Sequence, residues 1–339
     1  MPETSALRLA NGSLGDPVLY LDFPGEDNAV LVDAGEFPGL SKAELRDVAA
    51  VLLTHHHMDH LVGFDRVLRA VLDTDKTVEV LGPEGTIERV EKRLGSYLYQ
   101  RFPFMKVRFR VTELGTAGPS VRSALFDFRK GFAREDLPAV RLPRRGLVLS
   151  RRELRVRFAP ASHTVPCLAY SLEIRRGWRF DRERAAGRVL SPGPWVQRAL
   201  LELARPRSKR AREIAIEGRS ARFRLEDLSR DYFVREPARK IAFVTDTRAD
   251  PAAWPGLVDL ARGAWRLYCD SYYACRDEAA AQRHGHLTAP QAARLAREAG
   301  VGSLWLMHLG PKLHARAEEA LSEAWAIFPE TFLDFVGTA

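Results

Sequence analysis

Cysteine is scarce in this chain of 339 residues: three, at positions 167, 269 and 275. So few, with no C-x-x-C spacing, exclude a disulfide framework and a cysteine-ligated metal. Buried thiols in a reducing cytoplasm are expected. No run of eighteen apolar residues exists, so no membrane-spanning helix and no membrane partner are expected. The opening Met1-Pro2-Glu3-Thr4 lacks the basic start and apolar segment of a secretory leader. No internal repeat is found, which excludes solenoid and propeller architectures. Histidine is sparse too, nine in all, and four of the nine fall between positions 55 and 60.

That concentration carries chemistry. Residues 54–60 read Thr-His-His-His-Met-Asp-His, directly after the apolar run 51–53. On an extended turn His55 and His57 point the same way, because side chains alternate with period two. His56 then points away. Asp59 and His60 follow as the chain turns into a helix beginning near Leu61. Two ligand pairs therefore aim at two nearby points, and imidazole with carboxylate is the donor set that suits zinc. Further ligand types end apolar stretches: His163 after 154–158, Asp246 after 241–244, and His308 after 304–307. Open sheets build their sites at such strand ends.

Charge is unevenly spread. The net is +8, but residues 174–240 hold 19 Lys and Arg against 9 Asp and Glu, a net of +10, leaving −2 for the rest. The basic segment lies between His163 and Asp246. It is punctuated by Gly177, Gly187, Pro192, Gly193, Pro194, Pro206, Gly218 and Pro237, and one helix fits 194–204, with Pro194 in its first turn. A clamp on a polyanion is the reading its charge favours. Its interleaved aromatics read as the core of a small subdomain.

Elsewhere strands and helices alternate. Strands are expected at 18–23, 29–33, 50–53, 78–81, 107–113, 147–159, 168–174, 241–245, 265–269 and 303–307. Helices are expected at 42–48, 65–70, 86–102, 289–299 and 316–327. The order fits an α/β αββα sandwich: one metallo-hydrolase domain over 1–339, with a protruding basic arm inserted at 175–239.

At the metal motif the chain resembles the metallo-β-lactamase superfamily. Other segments narrow this to the ribonuclease Z family: Ser191-Pro192-Gly193-Pro194, Thr245-Asp246-Thr247-Arg248, His286-Leu287-Thr288 with the helix after it, and Leu306-Met307-His308-Leu309-Gly310-Pro311. The resemblance implies two zinc ions, or manganese in their place. His55, His57 and His163 would hold the first, Asp59, His60 and His308 the second, and Asp246 would bridge them. It implies an endoribonuclease that removes 3′ trailers from precursor tRNA by attack of a metal-activated hydroxide, and a homodimer. Asp59 would also orient or deprotonate the water. His286 would protonate the leaving oxygen, with Asp270 holding its ring. The arm would contact RNA through Arg175, Arg176, Arg179, Gly193, Pro194, Arg205, Arg207, Lys209 and Arg210. Departures from the family pattern lie at Asp33-Ala34-Gly35-Glu36-Phe37 and at Cys269-Asp270-Ser271-Tyr272, where the acid is one methylene shorter than the family Glu. They keep open a hydrolase of a small ester, lactone or cyclic phosphodiester.

Overall fold

The computed structural model describes residues 7–23, 29–100, 102–115, 120–141, 146–150, 154–175, 177–205 and 210–335. Two compact units are present: Met1–Ser150 with Arg155–Leu172 and Lys240–Ala339, and Arg151–Leu154 with Glu173–Arg239.

The larger unit is built on two sheets. The first has eight strands in sequence order: Leu7–Leu9, Leu19–Leu21, Ala29–Val32, Val48–Leu52, Thr77–Pro83, Arg108–Leu114, Ser120–Asp127 and Arg134–Arg141. The second has seven, ordered Thr331–Leu333, Leu304–Met307, Arg266–Asp270, Arg239–Val244, Cys167–Ile174, Leu154–Ala161 and Leu147–Ser150. Each sheet holds a run of parallel neighbours: Ala29–Val32 through Arg108–Leu114 inside the first, and Arg239–Val244 out to the edge strand Thr331–Leu333 in the second. Parallel strands are covered on both faces. Val48–Leu52 is accordingly buried at every position. Helices Phe64–Val71 and Thr86–Gly95 contribute to the first sheet's apolar cluster, and Trp254–Ala261, Ala289–Ala299 and Ala317–Trp325 to the second's. The result is the αββα sandwich.

Local signals explain most boundaries. Ser41 caps Lys42–Arg46 in a capping box with Glu44, and Thr288 caps Ala289–Ala299 in another with Gln291, with Pro290 in the first turn. The helix expected over 86–102 stops at Gly95 instead. Gly95 and Ser96 are poor helix formers there, and the Ser96 hydroxyl and Tyr99 phenol donate to the Lys92 and Leu94 carbonyls. The strand expected over 147–159 is two antiparallel strands, Leu147–Ser150 and Leu154–Ala161. Cys167 and Cys269 are buried, but Cys275 is exposed, because it opens a short 3-10 turn over Cys275–Asp277. Among the described residues no helix is long and apolar enough to cross a membrane.

The smaller unit has its own core. Helix Pro194–Ala204 and helix Leu225–Tyr232 pack around Trp195, Leu203, Leu228 and Phe233, with two short antiparallel ribbons, Trp178–Phe180 against Phe233–Arg235 and Glu213–Ala215 against Arg222–Arg224.

Candidate metal centre

The parallel strands deliver the site. The register pairs Val244 with Cys269 and Asp270 with Met307. Asp246, Asp270 and His308 therefore leave one edge of the second sheet side by side. The Val48–Leu52 strand feeds the turn with His55, His57, Asp59 and His60. Ligand atoms of His55, His57, His163 and Asp246 lie within 4.8 Å of one another, as do those of Asp59, His60 and His308, and those of Asp246, His286 and His308.

Hydrogen bonds fix which way each ring nitrogen faces. The Asp33 carboxylate accepts from the Thr54 amide at 2.7 Å, the Thr54 hydroxyl at 2.8 Å and His60 Nδ1 at 2.8 Å. His60 thus carries its proton on Nδ1 and turns the Nε2 lone pair inward. The Thr54 hydroxyl has donated its one proton to Asp33, so it accepts from His55 Nδ1 at 3.1 Å. His55 Nε2 is then also a lone pair facing inward. His163 Nδ1 donates to the Gly285 carbonyl at 2.8 Å, which leaves its Nε2 in the same state. Such outer partners set the tautomer of metal-ligating histidines.

These lone pairs converge on one carboxylate. Asp246 Oδ2 is 3.6 Å from both His55 Nε2 and His163 Nε2. His57 Nδ1 lies 3.0 Å from His55 Nε2 and 3.3 Å from His163 Nε2. The other oxygen, Asp246 Oδ1, is 3.5 Å from His60 Nε2 and 2.8 Å from His308 Nδ1. Asp59 Oδ2 completes that side, 3.5 Å from His60 Nε2 and 3.3 Å from His308 Nε2.

The donor set fits divalent cations on an observation independent of spacing. His60 Nε2 is buried with no hydrogen-bond partner among the described residues. A buried ring nitrogen without a partner is costly unless something positive meets it. Electrostatics agree. Burial holds the His55 imidazole far below its ordinary pKa, and so neutral. At His308 burial opposes charge, but Asp246 and Asp59 outweigh it and push the pKa up to about 10. The second cluster therefore attracts positive charge, a proton or a metal.

Backbone strain marks the same place. Among the described residues four non-glycine positions have positive φ, and three of them, Asp33, Asp246 and His308, belong to this centre. Gly285 has φ +81, and a Cβ there would meet His163 Nδ1 at 2.4 Å. A Cβ on Gly35 would meet the Asp59 carbonyl at 2.0 Å, so the metal turn lies flat against it.

His286 sits at the rim. Its Nδ1 donates to Asp270 Oδ2 at 3.1 Å, and the Leu287 amide donates to the same oxygen at 3.1 Å. Asp270, shorter than the family Glu, does reach. Burial lowers the His286 pKa, the Asp270 carboxylate raises it, and the net is a raise. The Tyr272 ring stacks on His286, centroids 4.4 Å apart at 24°, and meets His308 edge-on at 5.2 Å. The remaining histidines are occupied elsewhere: His56 with Thr86, His284 with Tyr273 and His314 with the Leu309 carbonyl.

The structure thus gathers every residue expected at the metals, with His286 and Asp270 beside them. The sequence reading missed Asp33, Thr54, Tyr272 and Gly285. Asp33 carried at most the weak signal of a carboxylate at the end of a buried strand, which an ordinary turn residue shares.

Of the arm residues, Arg176, Arg207 and Lys209 lie outside the described residues. Gly193 and Pro194 open the arm helix. Arg175 is half-buried beside Glu173 and Glu236 in a cavity of 510 Å³. Arg179 is 3.8 Å from Glu236. Arg205 pairs with Glu202 at 2.6 Å, and Arg210 donates to the Leu203 and Arg205 carbonyls at 2.6 and 2.8 Å. Part of the arm's positive charge therefore closes its own helix end.

Known proteins resemble this chain over nearly its whole length. A family model described as a Beta-lactamase superfamily domain matches residues 24–185. Ribonuclease Z of Deinococcus radiodurans is 31% identical over 325 residues, covering 90% of this chain and 94% of that protein. A metallo-β-lactamase fold protein of Bacillus subtilis matches with TM-score 0.54 at 14% identity, covering 96% of this chain and 93% of that one. Human tRNase Z, short form, matches with TM-score 0.52 at 15% identity, covering 91% of each. At these identities the structural likeness speaks to fold alone.

Proposed function

The chain belongs to the ribonuclease Z family and is a metal-dependent hydrolase, and we propose that it removes 3′ trailers from precursor tRNA as a zinc-dependent endoribonuclease. The observation that carries this reading is the convergence of three inward lone pairs, from His55, His60 and His163, and of His308 Nδ1 on the two oxygens of Asp246. We assign His55, His57 and His163 to one ion, Asp59, His60 and His308 to a second, and Asp246 to both. Zinc suits these donors, and manganese is the alternative. When bound, the ions lower the pKa of water toward neutrality and offset charge on the phosphoryl oxygens.

The chain's own groups do the rest. Asp59 keeps 40% of its side chain exposed, so its carboxylate has room to orient the attacking water or take its proton. His286 holds one proton on Nδ1 against Asp270 and delivers another from Nε2 to the leaving oxygen. Asp270 stabilises the charged ring, and Tyr272 fixes its plane. The reach of Asp270 to His286 removes one argument for a small ester, lactone or cyclic phosphodiester as the substrate. Residues 175–239 are assigned the grip on RNA, since the chain's basic excess lies there. A homodimer in the cytoplasm completes the reading.

The test is incubation of the purified, zinc-loaded protein with a precursor tRNA carrying a 3′ trailer. Trailer release that stops with chelator and returns with zinc is expected. An intact precursor, under conditions where a small ester or cyclic phosphodiester is hydrolysed, contradicts the reading.

A further inference from the structure

We propose that a cavity behind the metal turn, on the larger unit, binds a backbone phosphate of the RNA other than the one being cut. The proposal rests on the endoribonuclease reading and adds to it a phosphate contact independent of the arm. The cavity has a volume of 370 Å³ and is lined by His56, Leu61, Arg89, Lys92, Arg93 and Ser96. Arg89, Lys92 and Arg93 fall on one face of helix Thr86–Gly95, three and four residues apart. Like charges at that spacing repel, and no carboxylate is among the lining residues.

Arg93 is neutralised by Asp65 at 2.9 Å. Arg89 gives one nitrogen to the Gly85 carbonyl at 3.1 Å, and no carboxylate pairs with it or with Lys92 among the described residues. Two exposed cations thus face a concave space, although the chain outside 174–240 is net negative. Arginine forks and lysine point charges of this kind bind phosphate.

His56 explains the location. The Thr86 hydroxyl donates to the Pro83 carbonyl at 2.6 Å, so it accepts from His56 Nε2 at 2.8 Å. That bond turns His56 away from the ligands on either side of it in the chain and makes its ring a wall of the cavity. An anion held there borders His56, which lies between His55 and His57 in the chain.

The experiment measures affinity of the zinc-loaded protein for a precursor tRNA across a series of salt concentrations. Arg89→Gln with Lys92→Gln is expected to weaken binding about tenfold and to flatten the slope of log Kd against log salt by about 1, since the one phosphate they neutralise contributes roughly 0.9. Arg93→Gln is expected to flatten it less, because Asp65 already holds that guanidinium. Unchanged affinity and slope in the double variant, at wild-type zinc content and melting temperature, overturns the proposal. Should the double variant fail to fold, exposed Lys92→Gln alone carries the test, with a smaller flattening in the same direction expected and an unchanged slope overturning the proposal. Inorganic phosphate that raises the wild-type melting temperature but not the double variant's, with RNA slopes equal, assigns the cavity to free phosphate and also overturns the proposal. Binding is read apart from cleavage. RNA bound with the expected slopes yet left uncut sinks the endoribonuclease reading and supports the cavity.

Discussion

The two compact units treat charge in opposite ways. In the larger, Asp33, Asp246, Asp270, His55, His60 and His308 are buried, with Asp33 on His60 and Asp246 between His55, His60 and His308. In the smaller, the interior is Trp195, Phe233 and Leu228, while ion pairs such as Arg198–Glu217 and Arg230–Asp227 stand in solvent. Buried charge is costly, about several kcal/mol per ion without compensation. It persists where it holds something, here cations. Exposed pairs contribute little to stability, and a surplus of exposed cations remains available to a polyanion. The difference is the one expected if, as proposed, chemistry belongs to one unit and grip to the other.

The strongest test of that division removes one side of it. The arm leaves and re-enters through Cys167–Ile174 and Arg239–Val244, neighbouring strands of the second sheet, so a short Gly-Ser linker should replace residues 175–239. Cleavage of precursor tRNA should fall below detection, while hydrolysis of a small phosphodiester and zinc content stay near wild type. Equal loss of both activities in a folded, zinc-loaded protein would break the comparison.

His286→Ala should slow RNA cleavage by roughly 10²–10⁴, the usual weight of a general acid, at unchanged zinc content. The loss should shrink for a nitrophenyl phosphodiester, whose leaving oxygen needs no proton, and Asp270→Asn should follow the same pattern more weakly. An equal deficit on both substrates would make His286 a phosphate binder. Truncation of the arm's own core, Trp195→Ala, should destabilise that unit by about 3–5 kcal/mol and lower RNA cleavage but not small-diester hydrolysis. Melting followed by hydrogen exchange would locate the loss, and protection lost around Asp33 or His60 would argue that the units are not independent. Asp33→Asn leaves His60 without its carboxylate and should weaken metal binding about 10–100-fold, read by chelator competition. Wild-type affinity there would show that the Asp33 bond to His60 does not orient the ligand.

The residues proposed to hold metal stood out in the sequence because histidine is rare here and its positions coincide with strand ends. Their partners did not. An aspartate after a strand, as at Asp33, is an ordinary turn residue until the fold sets it 2.8 Å from His60. Tyr272 acquires meaning only when the turn after Arg266–Asp270 lays its ring on His286. The hairpin strands Ser120–Asp127 and Arg134–Arg141 were missed, because no clear apolar alternation announces either. The turn between them depends on the Asp127 side chain accepting from the Arg129 amide. Helix Thr86–Gly95 was overextended, because apolar spacing continues past a stop set by side-chain bonds to its last carbonyls.

One measurement bears most directly on the centre: zinc bound per chain, by native mass spectrometry with a chelator titration, in the wild type and in Asp246→Ala. If one carboxylate serves both clusters, the wild type holds two ions and the variant loses affinity at both sites together. A variant that still binds two zinc ions at wild-type affinity would contradict the account.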